Sequence, residues 1–396
     1  MKFSVSEQVR AVHLPPILEV RSWAAHCESS LPLIDLCQAV PDYPPAREMT
    51  EHLASLLSDP EMARYTPDEG LLDVREAICE RYRRRYNARI HPGHLCLTIG
   101  ASQAFWLAVV TLCRPGDEVI VQVPYYFDHA MALDILGITR INAPFSEEHG
   151  GLPSISQIAA LLSPRTKAIL LVTPSNPTGA ITPPGMLDEL AALARDHGIA
   201  LILDETYSDF IPGDDSPHNL FTHVHWDDNF IHVTSFGKTY ALTGYRAGLL
   251  AASPRFIHHA LKAQDTMAVC QPRITQHAIK YGVNNLDEWV TVNRGMMEAR
   301  HSRFCDEFAK PGNAFRIVAS GAFFAWVRHP CCGSSGRDVA KRLVHETGAL
   351  TLPGEVFGPG LEPYLRLAFG NITEAAIPEA AARFRSFSPC SRAVHK

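Results

Sequence analysis

Short unbroken apolar runs alternate with stretches in which apolar positions recur every three or four residues, and this rhythm fills the chain from about Leu95 onward. The runs read as strands buried on both faces, and the periodic stretches as helices lying over them. Leu95–Ile99 predicts a strand that feeds, through Gly100-Ala-Ser, a helix carrying Phe105, Leu107, Ala108 and Leu112. Further strands are expected over 118–123, 138–144, 168–173, Ala200–Asp204, Phe230–Ser235 and 246–252. Between the strands at 168–173 and 200–204, Thr182 is expected to cap a helix with Pro183-Pro184 in its first turn. Leu187, Leu190, Ala191 and Ala194 form that helix's apolar stripe, and Gly198 stops it. Strands and helices in this alternation specify a parallel sheet covered on both sides.

After Gly282 the pattern changes to a long polar helix over 286–309, an extended stretch over 315–327, a helix over 337–347 and a strand at Tyr364–Ala368. The expected architecture is α/β: a large domain, 46–282, with a mostly parallel seven-stranded sheet between helices, and a smaller α+β domain from 1–45 and 283–396. Length supports two packed lobes, since 396 residues exceed what one small core needs.

Composition narrows the functional classes. With 46% apolar and 20% charged residues the chain reads as globular. Its 36 Lys plus Arg against 42 Asp plus Glu give a formal charge of −6, no footprint for nucleic acid or an anionic membrane. Arg81, Arg83, Arg84, Arg85 and Arg89 cluster on a helix whose apolar positions are Leu71, Val74, Ile78 and Tyr82, and are expected to form a solvated face. Neither a bilayer-spanning run nor a signal peptide is expected, and ten scattered cysteines without a Cys-x-x-Cys pair suit free thiols in a reducing cytoplasm. His91, His94 and the pair His258-His259 lack the spacing of a metal site, so no metal is expected.

Candidate chemistry gathers just past the predicted strand ends, where open α/β sheets bind ligands. Lys238 lies in Thr234-Ser-Phe-Gly-Lys-Thr-Tyr-Ala-Leu-Thr-Gly-Tyr-Arg-Ala-Gly248, three residues after Ser235 and eight before Arg246. Burial beside other cations would free some of its amine as a nucleophile, and Ser235 with Arg246 would clamp a phosphate dianion. An aldehyde cofactor with a phosphate tail, pyridoxal 5′-phosphate, needs both functions side by side. Asp204 ends a buried strand and would pair with a protonated ring nitrogen, and Tyr207 could reach the ring oxygen. Asn176 sits in the stiff turn Thr173-Pro-Ser-Asn-Pro-Thr-Gly179, and Tyr126 would lie against the ring face. Gly100-Ala-Ser opens a helix whose free amides suit the phosphate. Arg366, on an otherwise apolar strand, offers a planar fork for an α-carboxylate.

Together these motifs, with Tyr65 and Gly70 upstream and Gly244-x-Arg246-x-Gly248 downstream, resemble the class I/II pyridoxal-phosphate aminotransferases of fold type I over about 35–370. That resemblance implies an enzyme moving the amino group of an L-amino acid to a 2-oxo acid, acting as a homodimer with shared active sites. It implies that Lys238 condenses with the cofactor aldehyde and then carries the proton, while Asp204 meets the ring nitrogen and Asn176 and Tyr207 the ring oxygen. Ala101, Ser102, Ser235 and Arg246 would bind the phosphate, with Gln103 also among the cofactor-binding residues, Tyr65 the phosphate of the neighbouring subunit, and Arg366, Asn176 and Ala39 the substrate. The segment Leu36-Cys37-Gln38-Ala39-Val40-Pro41 departs from the family, with Cys37 and Ala39 where glycines are usual. No second arginine presents itself for a dicarboxylic substrate. The same cofactor residues would serve elimination, replacement, ring closure or oxygen-dependent oxidation, and that alternative stays open here.

Overall fold

The computed structural model describes residues 3–26 and 31–388, which leaves Cys27 and Cys390 outside the described residues. A seven-stranded sheet runs in the order Leu95–Ile99, Ala247–Ala251, Phe230–Ser235, Ala200–Asp204, Thr166–Val172, Glu118–Gln122, Thr139–Ala143. All seven expected strands are present: Leu95–Ile99, Ala200–Asp204 and Phe230–Ser235 with the expected ends, the other four with ends shifted by one or two residues. Ala247–Ala251 departs from the parallel pattern, pairing antiparallel with both Leu95–Ile99 and Phe230–Ser235. The central strand Ala200–Asp204 is buried throughout because helices cover both faces, which is why its sequence, Ala-Leu-Ile-Leu-Asp, has no polar alternation.

A second sheet of four antiparallel strands holds Leu352–Pro353, Tyr364–Ala368, Phe324–Arg328 and Arg316–Gly321 in that order. The stretch expected to be extended over 315–327 is a hairpin folded at Ala322-Phe323, where Ala322 takes φ 48°. The helices Asp287–Phe308, Gly336–Thr347 and Ile377–Ser386 pack about this sheet around Phe304, Phe323, Leu365 and Phe384. Ile34–Asp35 pairs in parallel with Ala349–Leu350, bringing the early chain beside the late one.

Two local expectations are corrected. The helix after Asn176 begins at Pro184 with Pro183 at its cap, and Thr182 instead donates its amide to Thr173 Oγ1 at 2.9 Å. A proline cap has no side-chain acceptor, and Thr182 stands one residue before the cap position. The arginine cluster is not all solvated: Arg81 lies 2.5 Å from Asp209 Oδ1 in a mostly buried ion pair, and Arg85 donates to the Ser208 carbonyl. Among the described residues no helix is long and apolar enough to cross a membrane, and Cys37, Cys79, Cys96, Cys113, Cys270, Cys305 and Cys332 are free thiols.

A candidate active site at the strand ends

The carboxyl ends of Thr166–Val172, Ala200–Asp204 and Phe230–Ser235 open on a cleft of about 250 Å³. Ala101, Ser102, Tyr126, Asn176, Asp204 and Tyr207 line it from the large sheet and its helices. Ser235, Lys238 and Arg246 line it from the lysine segment, and Ala39 and Arg366 from the opposite side. Sequence positions more than three hundred apart meet here because each lies just past a strand end or on the strand facing it.

Lys238 sits in a single helical turn, Phe236–Thr239, whose start is fixed by Ser235 Oγ accepting the Gly237 amide at 3.0 Å. Its Nζ donates to the Ala39 carbonyl at 2.5 Å. Burial, then the charges of Arg246 and Arg366, pull this amine down to about 7. Much of it is therefore uncharged near neutrality, the state in which an amine attacks a carbonyl.

Arg246 donates to the carbonyls of Thr243 and Ile99, across the start of the helix Gly100–Leu112. Gly100 has φ +77°, and a Cβ there would stand 2.5 Å from Arg246 Nη2. A Cβ on Gly248 would meet the Gly100 carbonyl carbon at 2.2 Å. The two glycines thus let guanidinium, helix N-terminus and strand close into one cradle of donors. Gln103 does not line the cleft; its Oε1 accepts the Ile99 amide at 2.6 Å and holds that helix start in place.

Asp204 is 4% exposed. Its Oδ1 accepts from the amide and hydroxyl of Thr206, at 2.9 and 2.7 Å, and its Oδ2 lies 3.2 Å from His129 Nε2. His129 was not singled out from sequence; the signal was Tyr126-x-x-His129, one helical turn past a strand that ends at proline. Its ring packs 4.2 Å from that of Phe105, centroid to centroid.

Tyr207 packs edge-on against Phe323 and Phe324, and burial raises its phenol well above the usual range. Arg366 is buried, its guanidinium 5.4 Å from the ring centres of both Phe324 and Phe357. Its Nη1 donates to Asn176 Oδ1 at 3.1 Å and its Nη2 to the Cys37 carbonyl, while its Nε has no protein partner. Tyr65 lies apart from the cleft and is 78% exposed.

A dianionic phosphate suits the cradle of Arg246, Ser235 and free helix amides, an aldehyde suits the partly neutral Lys238, and a carboxylate suits the Arg366 guanidinium. Those donors match the charges and functional groups of pyridoxal 5′-phosphate and an amino acid.

Residues 32–384 match the family model for aminotransferase class I and II. The aromatic aminotransferase ISS1 of Arabidopsis thaliana is 30% identical over 96% of this chain and 95% of its own length. An aspartate aminotransferase of Thermotoga maritima is 27% identical over 97% of this chain and 99% of its own length. Among solved structures, the Thermus thermophilus aspartate aminotransferase with maleate superposes with a TM-score of 0.88 at 25% identity, covering 97% of this chain and 99% of that one.

Proposed function

The chain belongs to the class I and II aminotransferase family, whose members depend on pyridoxal 5′-phosphate, and from that membership we propose how this cleft carries out transamination. An amino group passes from an L-amino acid to a 2-oxo acid in two half-reactions. The carrying observation is Lys238: a buried amine held at about 7 in the same cleft as Arg246, Asp204 and Arg366.

When bound, the cofactor supplies a carbonyl for amine exchange and a ring that accepts the electrons of the substrate's α-carbon. Arg246, Ser235 and the amides of Ala101 and Ser102 would hold its phosphate, and Tyr126 would lie against its ring. Asp204 would keep the ring nitrogen protonated, itself oriented by Thr206 and His129. Asn176 and Tyr207 would donate to the ring oxygen. Arg366 would take the substrate α-carboxylate with its guanidinium, already aimed by Asn176 and the Cys37 carbonyl. Lys238 Nζ, released from the Ala39 carbonyl, would accept a proton from the α-carbon and return it to the other side of the exchanged bond.

Three further assignments belong to this reading. Residues 46–282 form the cofactor domain, and 1–45 with 283–396 the smaller one, supported by the pairing of Ile34–Asp35 with Ala349–Leu350. The enzyme is a homodimer in which the exposed Tyr65 serves the partner's phosphate site, which light scattering tests. The compartment is the cytoplasm, in keeping with free thiols such as Cys37, Cys79 and Cys96 among the described residues.

The decisive experiment mixes holoenzyme anaerobically with single amino acids and no 2-oxo acid. One equivalent of 2-oxo acid with conversion of the cofactor to its amine form is expected. Repeated turnover releasing ammonia, thiol or a cyclised product would replace transamination with another carbanion reaction. The names of the relatives divide between aromatic and aspartate aminotransferases, so the substrate side chain must be sought in the wall of this cleft.

A further inference from the structure

Among the described residues lining the cleft the cations are Lys238, Arg246 and Arg366, and each has a task in the reading above. What is left to receive a substrate side chain is mostly apolar: Ile17 from the helix Pro16–Ala25, Val40 from the segment that departs from the family, and Phe127. Gln38 and Asp128 complete this wall. The Asp128 carboxylate accepts a hydrogen bond from the Tyr126 hydroxyl at 2.6 Å, so the charge next to the ring-facing tyrosine is negative. Burial and then that carboxylate keep the Tyr126 phenol protonated and donating. Arg21 does not line the cleft; it donates to Gln38 Oε1 and stands 3.8 Å from Asp35 Oδ2.

We infer that this cleft selects L-amino acids with neutral side chains against L-aspartate and L-glutamate, with Asp128 as the discriminating residue. The inference rests on the aminotransferase reading, because it assigns Arg366 to the α-carboxylate. A second carboxylate entering the wall would lose its water, gain no cation from this chain's lining, and face Asp128. Both half-reactions use one cleft, so the preference extends to the 2-oxo acid.

Non-reacting carboxylates test the wall apart from the chemistry. Holoenzyme is titrated with succinate and with 3-phenylpropanoate, following cofactor absorbance. The monocarboxylate should bind at least about tenfold tighter, the scale of one like-charge encounter in a partly dried site. Asp128→Asn should narrow that ratio several-fold, and Val40→Lys, which adds the missing cation, should narrow it as well. Succinate binding as tightly as 3-phenylpropanoate overturns the inference. A ratio unmoved by Asp128→Asn, with Val40→Lys shifting it, removes Asp128 from the role. The two readings fail separately: conversion of the cofactor by L-aspartate as readily as by L-phenylalanine sinks the selectivity and leaves transamination standing. No conversion by any amino acid sinks transamination, while the carboxylate ratio still reports on the wall.

Discussion

Asp204 and Glu205 are consecutive carboxylates, 4% and 1% exposed, yet the chain treats them in opposite ways. Neighbouring residues at a strand end turn to opposite faces. Asp204 faces the cleft, where its protein partners are a hydroxyl, an amide and one imidazole. Glu205 faces the closed side, where His218 Nε2 at 3.0 Å, His232 Nε2 at 2.9 Å and the Tyr86 hydroxyl at 3.0 Å converge on its Oε2. His218 Nδ1 accepts the Leu220 amide, which leaves the proton on Nε2 to donate to Glu205, and Tyr82 reaches His232 Nδ1 at 2.8 Å. Burial alone thus does not mark a functional acid. The mark is an opening to a cleft, where a charged partner can arrive from outside the chain.

The cleft side should fail by losing chemistry, and Lys238 is its extreme case. Lys238→Ala should lower turnover by about 10³-fold or more, the scale of a lost proton carrier, while the protein keeps part of its cofactor affinity. Near-normal turnover in that variant would place the reacting amine elsewhere. Because the amine is held at about 7, borohydride trapping of the aldehyde on the apo-chain should accelerate as pH rises through neutrality. An ordinary lysine would respond only near pH 10.

The next contrast is between the neighbours. Asp204→Asn should cost turnover at least about 10²-fold with little change in the urea midpoint, since its lost partner is the cofactor ring. Glu205→Gln should do the reverse, costing about 3 kcal/mol of stability by breaking a buried charged cluster and leaving kcat of the folded enzyme nearly intact. If both variants fold equally well and both lose kcat, the two faces of the strand are not separate in function.

Acid sharpens this contrast. Burial works against the Glu205 charge, but His218 and His232 outweigh it and hold this carboxyl well below the usual carboxylate range. A depressed folded value means the contribution is present above the ordinary glutamate value of about 4.3 and is lost as pH falls below it toward the folded value. The stability gap between wild type and Glu205→Gln should therefore narrow as pH drops below about 4. A gap that stays constant into strong acid would mean that its source is packing.

The two regions were also unequally legible. Strands buried on both faces read as plain apolar runs, and residues such as Asp204, Ser235 and Asn176 stand out because they interrupt the polarity pattern at strand ends. Direction does not show in such a run, so nothing in Ala247–Ala251 distinguishes antiparallel pairing from parallel. The hairpin at Ala322-Phe323 was missed because its turn lacks the usual glycine or asparagine. Glu205 with its histidines, and Arg81 with Asp209, were illegible because their partners come from distant segments, 128 residues apart for the latter. His129 and Asp128 looked like ordinary first-turn residues, and only the fold turns them toward the cleft.

The smallest effect probes how the chain itself aims Asp204. Thr206→Val keeps the backbone amide that reaches Asp204 Oδ1 at 2.9 Å and removes only the hydroxyl at 2.7 Å. One neutral donor to a carboxylate is worth about 1 to 2 kcal/mol, so kcat should fall about tenfold while the urea midpoint stays close to wild type. The absorbance of the bound cofactor should become more sensitive to pH, because a less firmly held carboxylate protects the ring nitrogen less well. An unchanged kcat with an unchanged spectrum would show that His129 and the amide suffice to orient Asp204. The hydroxyl would then belong with Glu205's partners, holding structure without shaping the chemistry.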